Sequence, residues 1–441
     1  MKILIYALGL PPFRRGGLVE YSVDLSEQLS ENGNKVTFLY PGKMPFFDSN
    51  KCKFRRKKTR YQFDCFELIN PLPVSLTFGN SINTPKFYEY RREKEMRKFI
   101  SNIAPDVVHI HTIMGLPMQF IKILKEKNIK IVYTTHDYYG LCPKMLTDSP
   151  LEKLKSSNCA YDCMMCNIGP SIGKIKIMQS HFYQKYKTSK IFKYLRRRQR
   201  ENIQPRANAF LFNSKEAEER YKLRKYYLNI FSKVDLFHFN SSVALNVFRQ
   251  YLPNAKGKVV PLVIDGLRKK KTIKIEKDNV KIGFLGGIDR KKGFFLLKQV
   301  LSELKLRGFT FKVLCAGSNV DDDFFKNSYV KNLGIISEND IKKFYEEIDV
   351  LIVPSIWHET FGLVVVEAIT NNVPVFCSDT VGAKDLIPKE YIFHGSKQLL
   401  LKLQHFLSSK DNRKEAFRKF SNLNYDINFK KHVLVISHEF Y

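Results

Sequence analysis

The sequence predicts an α/β protein built from two doubly wound domains. Three observations carry this. Strand patterns alternate with helix patterns in two separate series, one starting at Lys2 and one at Lys281. Between them runs a turn-rich and then lysine-rich stretch, Leu252 to Lys277. The chain has 441 residues, enough for two or three domains with sizeable cores.

The first series reads strand Lys2–Leu8, loop Gly9–Gly17, helix Leu18–Glu31 and strand Lys35–Tyr40. Leu18, Tyr21, Leu25 and Leu29 form one apolar helix face, and Gly33 follows the helix end as a cap residue would. Val107–His111, a helix near Leu116–Glu126 and Ile129–Thr135 repeat the design. The second series has strand Ile282–Leu285, helix Gly293–Leu306, strand Phe311–Ala316 and helix Glu338–Ile348. It continues with strand Asp349–Val353, helix Gly362–Asn371 and strand Val373–Cys377. Such alternation implies parallel sheets.

No apolar run approaches the roughly 18 residues of a spanning helix. The apolar start is short and Pro11-Pro12-Phe13-Arg14-Arg15 follows without a cleavage site, so it reads as a buried strand rather than a leader. On that reading the eight cysteines are reduced thiols in a cytosol, with Cys315 and Cys377 as core filler. The formal net charge is +31, concentrated in the first 260 residues, which hold 45 basic and 21 acidic side chains. That asymmetry suggests an anionic partner on one side: membrane lipid, a phosphorylated acceptor or nucleic acid. No nucleic-acid motif is present, so nucleic acid is not expected.

Five features carry candidate chemistry. Glu359 and Glu367 place one carboxylate in a strand-to-helix loop and one in the following helix. Loops at the carboxyl ends of parallel strands bind ligands, and carboxylates there accept hydrogen bonds from hydroxyl groups. Gly16-Gly17 opens a helix after the first strand, where backbone N–H groups can approach a phosphate; a plain turn is the alternative. Gly286 to Gly293 repeats that placement with Arg290, Lys291 and Lys292, which suits a diphosphate or a solvated basic loop. His136 ends a strand, and of His109 and His111, which share a strand face, His111 is the better placed to reach a cleft. Cys142, Cys159, Cys163 and Cys166 have ligand-like spacing for a structural Zn, or are thiols of a compact loop. Two further segments are strongly basic. Lys51–Arg60 has seven cations in ten residues, and Lys174–Arg200 has ten cations with apolar residues at near-helical spacing. The latter reads as a membrane-surface helix or as a helix that buries its apolar face.

Pro354-Ser355, Glu359-Thr360-Phe361-Gly362, Glu367-Ala368, Val373-Pro374-Val375 and Val381-Gly382 together resemble the donor-site signature of the retaining family-4 glycosyltransferases. The resemblance runs, with gaps, from Met1 to about Phe420. It implies two Rossmann-like domains facing a cleft (GT-B type): residues 1–260 on the acceptor side, with a Cys-containing insertion at about 140–200, and 261–420 for the nucleotide sugar. Residues 421–441 would pack back on the first domain as a final helix.

The resemblance further implies transfer of a sugar from a UDP- or GDP-sugar to an acceptor hydroxyl, with retention and without a catalytic metal. The setting would be bacterial cell-surface polysaccharide or glycolipid synthesis, in the cytoplasm or peripheral on the inner face of the plasma membrane. The acceptor would be a lipid-linked glycan at an anionic surface. His136 and Glu359 would face the reacting sugar, and Gly16, Gly17, Arg290, Lys292, Phe361, Gly362 and Glu367 would bind the donor. Gly287 stands where the family carries a phosphate-binding Arg, and Arg290 is the substitute. Other readings of the residues are a same-fold sugar-nucleotide epimerase and a basic, zinc-containing nucleic-acid-binding protein.

Overall fold

The computed structural model describes residues 1–45, 47, 49–75, 84–141, 171–186, 189, 214–265, 279–423 and 425–441. It bears out the predicted α/β class. The first sheet is formed by β1 (Lys2–Tyr6), β2 (Lys35–Pro41), β3 (Lys53–Lys57), β4 (Asp64–Ile69), β5 (Val107–Ile110), β6 (Lys130–Thr134), β7 (Leu236–Phe239) and β8 (Gly257–Val259). Among the described residues its order is β3-β4-β2-β1-β5-β6-β7-β8. Every pair is parallel except β3 with β4. Alternate residues of β1 serve opposite faces, so Ile3 and Ile5 enter one core and Leu4 and Tyr6 another, as a sheet covered on both sides requires.

Helices α1 (Gly17–Glu31), α2 (Lys94–Ile103), α3 (Met118–Glu126), α4 (Ile172–Gln179), α5 (His181–Tyr186), α6 (Ser214–Phe231) and α7 (Ser242–Tyr251) belong to this half. The second sheet has β9 (Val280–Leu285), β10 (Phe311–Ala316), β11 (Val330–Asn332), β12 (Val350–Val353), β13 (Val375–Ser378) and β14 (Ile392–Phe393), ordered β11-β10-β9-β12-β13-β14 and wholly parallel. Its helices are α8 (Phe294–Leu306), α9 (Glu338–Glu347), α10 (Leu363–Thr370), α11 (Gly395–Ser408) and α12 (Lys410–Ser421).

The last helix, α13 (Phe429–Phe440), lies against the first sheet's helix α1. Tyr21 of α1 shares a 2.9 Å hydrogen bond with His432, and His109 of β5 shares one of 2.7 Å with the Tyr441 hydroxyl. Val433, Ile436 and Phe440 join the core that also holds Ile3, Leu25 and Phe38.

Two expectations change. The basic run Lys51–Arg60 contains the edge strand β3, whose cations are partly neutralised: Arg55 binds the buried Glu67 at 2.5 Å, and Arg56 pairs with Asp64. The periodic segment from Lys174 is not one helix in its described part, because Ser180 is extended (φ −68°, ψ 147°) between α4 and α5. Beyond Tyr186 only Ser189 of that segment is described. Cys142, Cys159, Cys163 and Cys166 lie outside the described residues. Among the described residues no helix is long and apolar enough to cross a membrane.

Candidate active site

The loops that follow β1, β6, β9 and β12 at their carboxyl ends converge between the sheets. Three contacts fix this. The Thr360 hydroxyl donates to the His136 carbonyl at 2.8 Å, and the Ser241 hydroxyl donates to the Thr360 carbonyl at 2.5 Å. Gly17 lies so close to α10 that a Cβ there would come within 2.7 Å of Leu363 Cδ1.

Glu359 is the most firmly held group. Its backbone bridges to Val381, with its N–H on the Thr380 carbonyl at 3.0 Å. Its Oε1 accepts from the Lys292 ammonium at 2.9 Å and the Ser355 hydroxyl at 2.6 Å. No described side chain donates to Oε2, which is left to accept a ligand hydroxyl. Lys292 is thus paired with the very carboxylate that the sequence places in the neighbouring loop. The two loops are laced together by Ile356 N–H on the Lys291 carbonyl at 2.9 Å. Gly293 makes that closeness possible: at φ +71°, a Cβ would stand 1.7 Å from the Pro354 carbonyl oxygen.

Helix α10 starts directly after Gly362, which has φ 98°. Its first N–H groups have no intrahelical acceptor and carry the positive end of the helix dipole. The Phe361 ring is buried at 3% exposure, so its backbone rather than its ring is what this residue can offer the cleft. Glu367 sits in the second turn of α10, and its Oε2 accepts from the Tyr345 hydroxyl at 2.9 Å. Burial raises the Glu367 carboxyl above its ordinary range; Tyr345 opposes this, and Glu20 of α1 adds to it across the cleft.

His136 is bonded through Nε2 to His111 Nδ1 at 2.9 Å. Burial, then His238, lowers the His136 pKa to about 3, so its ring is neutral at pH 7. His111 does not reach the cleft: it is fully buried beneath His136. Gly16 caps α1 with φ 118°. Arg290 is exposed and makes no ion pair among the described residues.

Ser355, Tyr345 and Thr360 orient these groups, and the sequence reading gave none of them a role. Ser355 stands four residues before Glu359, a short-range signal. Tyr345 bonds Glu367 from 22 positions away, and Thr360 bonds His136 from 224, so no local pattern marks either.

Two facing doubly wound sheets, with charged strand-end loops between them, define the GT-B class of fold. Residues 15–227 match the family model described as Glycosyltransferase Family 4, and residues 267–421 match Glycosyl transferases group 1. An uncharacterized 41.2 kDa protein in the cps region of Klebsiella pneumoniae is 32% identical over 132 residues, which are 28% of this chain and 36% of that protein. The capsular polysaccharide biosynthesis glycosyltransferase CapM of Staphylococcus aureus is 28% identical over 163 residues, 35% of this chain and 40% of its own. The matched stretches therefore span well under two thirds of these relatives. Anabaena Alr3699/HepE, solved in complex with UDP and glucose, superposes with a TM-score of 0.55 at 14% identity, covering 99% of each chain. The chain has the GT-B type of fold and carries two domains that match glycosyltransferase family models.

Proposed function

We propose that the protein transfers a sugar from a UDP- or GDP-sugar to an acceptor hydroxyl with retention of anomeric configuration. The donor would lie against the 261–420 domain and the acceptor against residues 1–260, with residues 421–441 closing back on the first domain. The observation that carries this is the Ser355–Glu359–Lys292 cluster at the end of β12, with Glu367 one helical segment on and His136 opposite. In HepE the same fold holds UDP and glucose.

On this reading Glu359 Oε2 and the His136 ring face the donor sugar, while Glu367 Oε1 takes the ribose hydroxyls. Lys292 swings from Glu359 toward the diphosphate, joined by Arg290 and the N–H groups of Gly16, Gly17 and Gly362. These cations and N–H groups stabilise charge on the departing diphosphate. The acceptor hydroxyl approaches from the leaving-group side, and a phosphate oxygen takes its proton as the new bond forms. His136, being neutral, positions rather than repels the cationic sugar centre. Thr360 and Ser241 hold the two halves in register, the positioning on which such a transfer depends.

The acceptor is read as a lipid-linked glycan of cell-surface polysaccharide synthesis, met at an anionic membrane. Support comes from CapM's part in capsular polysaccharide biosynthesis and from α4 and α5, where Ile177, Phe182 and Tyr186 are exposed among Lys174, Lys176 and Lys185. The test is a screen of UDP- and GDP-sugars by thermal shift and donor hydrolysis. One nucleotide class should raise the melting temperature, since ligand at a hundred times Kd adds about 2.7 kcal/mol. The anomeric coupling of the transferred sugar, read by NMR, then settles retention.

A further inference from the structure

A cavity of about 810 Å³ opens beside Gly16, between the loop after β1 and the turn that joins β3 to β4. Its lining is drawn wholly from the first half of the chain, so it does not belong to the donor loops of β9 and β12. Arg14, Arg15, Lys57, Lys58 and Arg60 face it against a single carboxylate, Glu20. That glutamate is also the one whose charge reaches Glu367, which places the cavity beside the cleft.

Close ion pairs are scarce among these cations, although the charge of Arg60 acts on Glu27 through space. Among the described residues Arg14, Arg15, Lys58 and Arg60 make no ion pair. Lys57 reaches only Glu67, at 4.0 Å, and that carboxylate is already held by Arg55 at 2.5 Å and His181 at 2.9 Å. Arg60 lies over the Tyr61 ring, 5.4 Å from its centroid. Tyr61 is itself fixed by a stack on Phe63 with centroids 5.1 Å apart.

Arg14 is built into the wall. Its N–H donates to the Leu10 carbonyl at 2.9 Å. Its stem runs along Gly9, where φ is +149° and a Cβ would meet Arg14 Cγ at 2.7 Å. Burial presses the guanidinium pKa downward; Tyr183 opposes this, and no carboxylate does. A half-buried cation without a counterion is costly to maintain and marks a place where an anion completes the site.

We propose that this cavity binds a phosphoryl group carried by the acceptor, with Arg14 as its principal contact and Lys58 and Arg60 around it. The inference rests on the transfer reading above. It names the acceptor's class as a phosphorylated glycan, either a free sugar phosphate or a glycan on a prenyl diphosphate. Several unpaired cations around one cavity suit a dianion or diphosphate better than a neutral sugar.

Titration calorimetry on the full chain tests this with inorganic pyrophosphate, a hexose 6-phosphate, a short-chain prenyl-diphosphate hexose and the unphosphorylated hexose. The phosphorylated probes should bind and the hexose should not. Arg14→Met should weaken them by about tenfold or more, the loss of one charge-assisted hydrogen bond. Its melting temperature should equal or exceed that of the wild type, because the buried charge is gone. Lys58→Ala/Arg60→Ala should weaken the same probes without touching the packed stem of Arg14. Hexose 6-phosphate binding as tightly as the prenyl compound identifies a soluble source, and binding of the prenyl compound alone identifies the lipid-linked one. Unchanged phosphate affinity in both variants, or equal affinity for the neutral hexose, overturns the proposal. Failure of every nucleotide in the donor screen would instead strike the transfer reading and leave the phosphate titrations standing.

Discussion

Glu359 shares Oε1 with Lys292 and Ser355, so its negative charge is set in place before any ligand arrives. Glu359→Gln, Lys292→Ala and Glu367→Gln should each slow transfer roughly ten- to a hundredfold, the equivalent of about 1.5–3 kcal/mol for a charge-assisted contact. Steady-state rates on folded variants check this. Gly293→Ala should cost stability as well as rate, because its Cβ would collide with the Pro354 carbonyl in a left-handed conformation; a melting curve reads it. Titration separates Asp24 from two histidines. Burial, then Asp265, Glu27 and Glu20, raises the Asp24 carboxyl to about 7. A folded-state value above the unfolded one gives stability that is full below the ordinary carboxylate range and lost as pH rises through about 7. Asp24→Asn should therefore gain melting temperature over the wild type between pH 5 and pH 8. His136 and His432 have the opposite sign. Burial lowers both to about 3, so their contribution is present above about pH 6.5 and lost as pH falls toward those values. At this scale the sequence shows the carboxylates and cations, since they stand in short local patterns. It hides Tyr345 and Thr360, whose partners come from distant parts of the chain.

Elements were legible where their periodicity was long or strongly apolar. Strand β10 is found over Phe311–Ala316 as expected, and α1, β9 and α8 differ by a residue or two at their ends. Strand β12 begins at Val350 rather than Asp349, because the Asp349 carboxylate turns back to accept the Lys281 N–H at 2.7 Å. Strand β3 is hidden by its charge: Lys53-Phe54-Arg55-Arg56-Lys57 has one apolar residue and becomes a strand only by pairing with β4. Strands β7, β8 and β14 have four, three and two residues, too few to show a period. Helix α13 offers the element-scale test. Removing Phe429–Tyr441 takes Val433, Ile436 and Phe440 from the core, and takes His432 from Tyr21 and the Tyr441 hydroxyl from His109. At about 1.5–3 kcal/mol for each large apolar side chain, the loss rivals the whole stability of a domain. The truncated chain should show no cooperative melt by circular dichroism at temperatures where the full chain is folded.

The whole molecule works by bringing two independently patterned halves to one cleft. The sequence announces both halves through repeated strand–helix alternation. It does not announce their docking, which joins an apolar core shared by both halves to single polar contacts such as Ser242 with Asp385, at 2.7 Å to the backbone N–H and 2.6 Å to the hydroxyl. The central claim is that the cluster at the end of β12 holds a nucleotide sugar for transfer. The most direct measurement is release of nucleoside diphosphate from UDP- and GDP-sugars, followed by NMR for the wild type, Lys292→Ala and Glu359→Gln. The account predicts turnover of one nucleotide class by the wild type and at least about tenfold slower release by both folded variants. Wild-type rates in the two variants, or no binding and no turnover with any donor, would contradict it.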